Sequence, residues 1–213
     1  SEAKFASRMQ SLGARDGARF VVYDNSPLHS AARIWWMLKA FGAHYVALLD
    51  GGFAKWEAEG RPVERGRAHH RHGHFTALLD RSAVADKGEV RRLLGAGTHE
   101  IVDARPAERF AGSRPEPRPG LASGHIPGSR NLPQAELFND DNSWKRGDAL
   151  RAAFEAAGVD LAKPMVTTCG SGVTAAVLLF GAHLLGKEDV RLYDGSWSEW
   201  GADSELPKET GAA

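Results

Sequence analysis

An internal repeat restricts the fold of this chain more than any other feature. Residues 21–56 align without gaps on residues 165–200, and nine of the 36 positions are identical. Each copy has the pattern of a short apolar strand, a loop, an apolar helix, a second strand and an Asp-Gly turn before a Trp-bearing segment. Strands alternating with helices of this length predict βαβ units and a parallel sheet. The crossovers bring the loops after the strands to one edge of that sheet.

The second copy carries the only Cys of the chain, Cys169, at the end of its first strand. Gly170 and Gly172 allow a tight loop there, because glycine adopts positive φ without steric cost. Such a loop aims backbone N–H groups at the thiol, and a predicted helix over about 173–185 adds the positive end of its dipole. These surroundings favour a nucleophilic thiolate. The alternative is that Cys169 is simply a small buried apolar residue.

The first copy lacks these features. Asn25 occupies the position of Cys169, and the residues that follow, SPLH, include no glycine. We therefore predict an inert copy that serves as a scaffold covering the active one.

Composition excludes several classes of function. The 27 basic residues balance 27 acidic ones, so neither a nucleic-acid-binding nor a membrane-surface protein is indicated. No apolar run is long enough to span a membrane. A single Cys fits a reducing compartment, so we expect the cytoplasm, with the mitochondrion as the alternative.

A linker is predicted over residues 60–75, which are rich in Gly, Arg and His. His69, His70, His72 and His74 could bind a divalent metal, as His-rich tracts do. No carboxylate or Cys stands among them, and an exposed basic linker explains them equally well, so no metal site is predicted.

Further along, we predict helices over 86–94 and 148–157 and a buried strand over 99–105. Residues 111–133 are rich in Pro and Gly and predict a long irregular loop. Loops of this kind often carry functional residues.

Three motifs carry a family resemblance: DAR at Asp103–Arg105, HIPG at His125–Gly128 and CGSGVTA at Cys169–Ala175. With them the chain resembles the tandem-domain rhodanese superfamily, and is most similar to the members that act on 3-mercaptopyruvate. The resemblance implies an α/β fold of two tandem rhodanese-like domains, each with a central parallel sheet flanked by helices.

The first of these domains looks incomplete, because its opening strand and HIPG-like loop would precede residue 1. We expect a truncated, non-catalytic domain over residues 1–60, a linker over 61–74 and a catalytic domain over 75–213; the alternative is a first domain that is incomplete by nature. In the superfamily the missing part supplies an Asp and a His proposed to act with the loop Ser, which is Ser171 here.

The resemblance also implies a reaction. Cys169 takes sulfur from a small-molecule donor as a persulfide and passes it to cyanide or to a thiol or thioredoxin-like acceptor, with no cofactor. Ser171 polarises the substrate or relays a proton; the alternative is a serine that only stabilises the loop. Thr174 is expected to cap the helix start. The predicted active-site loop consists of Gly170, Ser171, Gly172, Val173 and Thr174.

Two arginines match the substrate-binding pair of these relatives: Arg109 in ERF and Arg118 in PEPR. A carboxylate substrate calls for the planar donors of arginine. The alternative is that both are solvated, and Arg114 competes for the role. Arg105 is expected to pin the strand end or a domain contact, and His125 to be a structural loop residue.

The residues of this loop also favour one candidate substrate over another. Thiosulfate-specific relatives carry Arg and Lys at the positions of Gly170 and Ser171, whereas this loop has no charge. We therefore favour 3-mercaptopyruvate over the dianion thiosulfate. A Cys-based phosphatase would need an Arg six residues after the Cys, where Ala175 stands. A non-catalytic binding module is the other alternative, and a monomer is expected.

Overall fold

A computed structural model describes residues 1–66, 68 and 71–212. Residues 2–58 form a small first unit with the elements α1 (Glu2–Ser11), β1 (Arg19–Val22), α2 (Ala31–Ala40), β2 (Tyr45–Leu48) and α3 (Gly52–Ala58). β1 and β2 pair in parallel, with Arg19 opposite Tyr45. The first copy of the repeat thus has the predicted order of strand, helix, strand and short helix.

A larger second unit follows. Its helices and strands are β3 (Val84–Ala85), α4 (Lys87–Leu93), β4 (Glu100–Asp103), α5 (Ala107–Phe110), β5 (Arg130–Asn131), α6 (Gly147–Ala156), β6 (Met165–Thr168), α7 (Ala175–Leu184), β7 (Val190–Tyr193) and α8 (Ser196–Trp200), with short 3₁₀ turns at Arg81–Ala83 and Gln134–Leu137. The sheet order is β3–β7–β6–β4–β5, and every pairing is parallel. The expected α/β fold with a parallel sheet flanked by helices is confirmed.

The two central strands set the position of the site. Every residue of β4 and β6 is buried, as expected for a parallel sheet covered on both faces. Because all strands run the same way, the residues after β4 and β6 emerge at one edge. There the N–H of Ala104 donates to the carbonyl of Thr168 at 2.9 Å, which keeps the two strand ends together up to Cys169.

Helix α7 connects the two units. Eight of its ten residues are buried, because it is apolar on all sides. It contacts the strands β6 and β7 and also helix α2 of the first unit. At that contact the rings of Trp35 and Phe180 lie 4.9 Å apart, edge to face, within one shared hydrophobic core. The first copy of the repeat is therefore packed directly against the helix that begins after the cysteine loop.

The segment over residues 73–80 packs on the first unit. Phe75 is buried in a cluster with Leu38, and the N–H of Leu78 donates to the carbonyl of Phe41 at 3.3 Å. The predicted boundary between 74 and 75 falls within this segment, and the domain limits stay a prediction.

Two of the four linker histidines, His69 and His70, lie outside the described residues. Within the described ranges, no group of three or more His, Cys, Asp or Glu side chains is placed to hold a metal ion. In the same part of the chain, no helix has both the length and the apolar character needed to cross a bilayer.

Candidate active site

Cys169 lies at the carboxyl end of β6, where the sequence predicts a nucleophile. Cys169 is buried, with 2% of its surface exposed. The backbone N–H groups of Gly172 and Ser171 point at Sγ, with N···S distances of 3.1 and 3.4 Å. The predicted curl of amides around the thiol is thus confirmed for two of its donors, which stabilise negative charge on the sulfur.

Glycine is required at two positions of the loop. Gly172 has φ +79°, and a Cβ there would lie 2.8 Å from Oδ1 and 2.9 Å from the carbonyl oxygen of Asp194. A Cβ on Gly170 would lie 2.9 Å from Nη2 of Arg109. One glycine therefore allows the backbone turn, and the other allows an arginine to approach the loop.

Helix α8 holds the loop from the other side. The N–H groups of Trp197 and Ser198 donate to the carbonyls of Cys169 and Gly170, both at 2.9 Å. The Ser196 hydroxyl accepts the N–H of Cys169 at 3.2 Å. These bonds fix both peptide groups that flank Cys169.

Helix α7 begins at Ala175, two residues later than predicted, with Thr174 as the N-cap. The prediction that Thr174 caps the helix is wrong for its side chain, which makes no capping hydrogen bond. Its backbone is already in the right-handed helical region, whereas a capping side chain normally needs an extended backbone. The helix start still faces the loop, so its dipole favours an anion there.

A cavity of about 430 Å³ opens at Cys169 and gathers most of the predicted site residues. Leu28 of the first unit also lines it, so the first copy of the repeat forms part of the wall. Gly172 takes part through its N–H bond to the sulfur. The predicted residues that line the cavity are Arg109, Arg118, Cys169, Gly170, Ser171, Val173 and Thr174.

The two predicted substrate-binding arginines both line this cavity but have different hydrogen-bond partners. Arg109, on α5, forms an ion pair with Glu116 through two hydrogen bonds of 2.5 and 3.1 Å. Arg118 donates to the hydroxyl of Ser198 at 3.0 Å. Arg114, the competitor considered from the sequence, pairs with the exposed Glu108 instead. Their roles with substrate remain predictions.

Glu116 and Ser198 were missed by the sequence analysis. Glu116 stands in an irregular Pro-rich segment and Ser198 is one of many serines, so neither gave a local signal. Only the motif PEPR, which contains Glu116, could have pointed to it, through its distance of two residues from Arg118.

Arg105 pins the end of β4, as predicted. It is 1% exposed, and its guanidinium donates to Asp103 Oδ2 at 2.7 Å and to Glu116 at 2.9 Å. It also lies 4.6 Å from the ring centroid of Trp197. Arg105 thereby connects the sheet to the cavity wall.

The charge state of Glu116 follows from these contacts. Burial raises the pKa of its carboxyl, but the hydrogen bonds and charges of Arg109 and Arg105 lower it by more, so the pKa lies below the ordinary value of 4.5. The Glu116 side chain is 2% exposed. The cavity therefore has a buried anion in its wall.

His125 is a structural residue, as expected. It is 3% exposed, its Nδ1 lies 2.9 Å from the carbonyl oxygen of Phe110, and its ring stacks on the Phe110 ring at 3.8 Å. These contacts hold the HIPG loop against the end of α5, next to Arg109.

In the first unit, the position that aligns with Cys169 is occupied by Asn25. Asn25 lines a separate cavity of about 280 Å³ together with Asp24 and His29. An Asn amide is not a nucleophile, so this copy has the shape of a site without its reactive group.

Comparison with known proteins agrees with this architecture. The chain is 46% identical to the 3-mercaptopyruvate sulfurtransferase of Mus musculus, over 92% of this chain and 67% of that protein. It is 43% identical to the thiosulfate sulfurtransferase of Bos taurus, over 94% of this chain and 68% of that protein. A crystal structure of SseA from Escherichia coli, described as a 3-mercaptopyruvate sulfotransferase, superposes with a TM-score of 0.82 at 41% identity, covering 92% of this chain and 73% of that one. The profile of the rhodanese-like domain matches residues 1–59 and 86–203, and the chain belongs to that family.

Proposed function

We propose that this chain is a sulfurtransferase that takes sulfur from 3-mercaptopyruvate as a persulfide on Cys169, releases pyruvate and passes the sulfur to a thiol acceptor. The observation that carries the proposal is the position of the Cys169 sulfur, which has two backbone N–H donors and lies in one cavity with Arg109 and Arg118. The relatives named for this activity support it.

The first half-reaction forms the persulfide. The Cys169 thiolate attacks the sulfur of 3-mercaptopyruvate, and a new S–S bond replaces the bond between that sulfur and C3. The electron pair of the broken bond leaves on pyruvate as its enolate, which then takes a proton at C3. The N–H groups of Ser171 and Gly172 hold negative charge on the sulfur, in the way an oxyanion hole holds it on oxygen.

The second half-reaction transfers the sulfur to an acceptor and regenerates the Cys169 thiolate. An acceptor thiolate attacks the outer sulfur of the persulfide, the S–S bond breaks, and Cys169 leaves as a thiolate. The acceptor becomes the new persulfide, and the transferred sulfur keeps its oxidation level, so this step requires no external oxidant and no cofactor. A thioredoxin-like thiol and cyanide are the acceptors we propose.

The substrate carboxylate is assigned to the two arginines. Arg109 is held by Glu116 with its fork next to Gly170, and Arg118 is exposed at the cavity wall. An arginine binds a carboxylate through paired N–H donors, which also fixes its orientation. Ser171 lines the same cavity, and we propose that its hydroxyl polarises the substrate or relays the proton to pyruvate.

Thiosulfate is the second candidate donor, and the Bos taurus relative favours it. Gly170 and Ser171 bring no charge to the loop, whereas a dianion is best held by added positive charge. We therefore propose that kcat/KM for 3-mercaptopyruvate exceeds that for thiosulfate by more than about tenfold, or about 1.4 kcal/mol. We further propose a monomer in the cytoplasm or the mitochondrion, without nucleic-acid or membrane partners.

Mass spectrometry of the intact protein tests the proposal. After treatment with 3-mercaptopyruvate and removal of small molecules, the protein should gain the mass of one sulfur, located on Cys169 by peptide mapping. The Cys169→Ser variant is the control and should gain nothing. No adduct on the wild-type protein would support a non-catalytic module instead, and a higher kcat/KM for thiosulfate would support the second donor.

A further inference from the structure

The wall of the cavity at Cys169 contains more positively charged side chains than carboxylates. Besides the Cys169 thiolate, its charged lining residues are Arg105, Arg109, Arg118 and Glu116. Arg105 is also paired with Asp103, which is 1% exposed. Three guanidinium groups and two carboxylates leave these five side chains with one net positive charge, which faces the negative charge of the Cys169 thiolate.

Glu116 sets that net charge. Its side chain is 2% exposed, and it hydrogen-bonds to both Arg105 and Arg109. Arg118 has a hydroxyl partner, Ser198, and no carboxylate within ion-pair distance in the part of the chain that the structure describes. One positive charge is thus neutralised by Glu116, and one stays available at the cavity wall.

We propose that Glu116 is a specificity-determining residue that matches the cavity to a substrate carrying a single negative charge. The inference rests on the proposed function, because 3-mercaptopyruvate is a monoanion and its competitor thiosulfate is a dianion. Gly170 and Ser171 add no charge to the loop, and the Cys169 thiolate and Asp103 contribute equally with either substrate, so a change at Glu116 changes the net charge that the substrate meets.

The electrostatic reason is simple. Each added charge on a bound ligand interacts with the net charge of the wall, and this interaction is stronger in a partly buried cavity than in water. Without Glu116 the wall would carry two net positive charges. A dianion gains twice as much as a monoanion from that change, so the preference moves toward thiosulfate.

The direct test is the Glu116→Gln variant, which keeps the shape of the side chain and removes its charge. We expect the ratio of kcat/KM for 3-mercaptopyruvate to that for thiosulfate to fall by about tenfold, with cyanide as the common acceptor. The matched control is Glu108→Gln, since Glu108 pairs with Arg114 on the surface and does not line the cavity. If E116Q lowers both kcat/KM values by the same factor, Glu116 is only structural and the proposal is wrong.

A second readout does not depend on turnover. Iodoacetate and iodoacetamide have similar shapes, but only the first is an anion, and both alkylate a cysteine thiolate. We expect the rate ratio of iodoacetate to iodoacetamide at Cys169 to rise about tenfold in E116Q and to stay unchanged in E108Q. A shifted ratio without persulfide on the wild-type protein would support this inference and overturn the proposed function. Persulfide formation with an unchanged ratio would support the proposed function and overturn this inference.

A second variant covers the case in which E116Q does not fold. Arg118 is exposed, so Arg118→Gln should fold normally while it removes the remaining net charge of the wall. The iodoacetate to iodoacetamide ratio at Cys169 should then fall, opposite to the effect of E116Q. An unchanged ratio in R118Q would overturn the account of the cavity by its net charge.

Discussion

Arg33, on helix α2 of the first unit, donates from Nη1 to the carbonyl oxygen of Gly172 across 3.3 Å. The same nitrogen donates to Asp194 Oδ1 at 2.6 Å, and the guanidinium lies 4.6 Å from the ring centroid of Trp36. Gly172 in turn donates its N–H to the sulfur of Cys169. The copy without a nucleophile therefore contacts the loop of the copy that has one.

This contact predicts the effect of Arg33→Gln. A hydrogen bond from a charged group contributes about 1.5–3 kcal/mol, and this one orients the peptide that follows a sulfur-binding amide. We expect kcat/KM with 3-mercaptopyruvate to fall about tenfold in steady-state assays. Lys39→Gln, at the exposed end of the same helix, is the control and should behave as wild type. Wild-type kinetics in R33Q would contradict a positioning role for the first unit.

Gly172→Ala separates backbone strain from loop displacement. Gly172 and Gly186 have nearly equal φ values, +79° and +78°, but only the first has close neighbours, while the second has open space around its missing Cβ. Strain alone costs on the order of 1 kcal/mol at either site. In urea unfolding we expect G186A to lose about this much stability and G172A to lose at least as much. Only G172A should also lose activity, by more than about 100-fold in kcat/KM, because its Cβ pushes the loop away from Asp194. Equal kinetics in the two variants would contradict this.

Ser198→Ala tests how Arg118 is held. The Ser198 hydroxyl accepts from Arg118 at 3.0 Å and donates to the carbonyl of Gly170 at 2.5 Å. Without it Arg118 is less ordered before substrate binds, so we expect KM for 3-mercaptopyruvate to rise by about three- to tenfold while kcat changes less. Ser113→Ala, an exposed serine on the loop that carries Arg118, is the control. A lower kcat at constant KM would place Ser198 in a different role.

The elements around Cys169 could be predicted because their signals are local. The apolar run of β6 and the glycines after Cys169 each act over a few residues, and the repeat shows the same local pattern twice; the structure has the strand, the loop and the helix in that order. The N–H groups on the sulfur follow from the same glycines. The error at Thr174 was also local, since the helix begins only after a residue that is already helical in its backbone.

The rest of the site depends on contacts between distant segments, which a single sequence does not reveal. Arg33 is 139 positions away from Gly172, and Arg118 is 80 positions away from Ser198. Glu116 stands among prolines with no periodic pattern, so only the folded loop shows that it joins two arginines. The packing of residues 73–80 on the first unit was missed for the same reason, because a composition rich in Gly and His indicates a linker and not its contacts.

Glu116 also predicts how stability depends on pH. Its pKa is lower in the folded protein than the ordinary value of 4.5, because Arg109 and Arg105 outweigh the effect of burial. The unfolded chain therefore binds a proton at this carboxyl more readily than the folded one does. The stabilisation by Glu116 is fully present above the unfolded value and is lost as the pH falls through the folded value.

The comparison of wild type with Glu116→Gln isolates this contribution. Gln cannot titrate, so the difference in free energy of unfolding between the two proteins should be largest near neutral pH and shrink as the pH falls from about 5 to about 3. Urea unfolding across that range measures the difference. In the Glu108→Gln control, the pKa of the exposed Glu108 is also lowered, by its own backbone N–H and by Arg114, but water and salt screen these contacts, so the difference from wild type should change less with pH than it does in E116Q. A gap between E116Q and wild type that stays constant across the range would mean that the two arginines do not hold the Glu116 charge in the folded state.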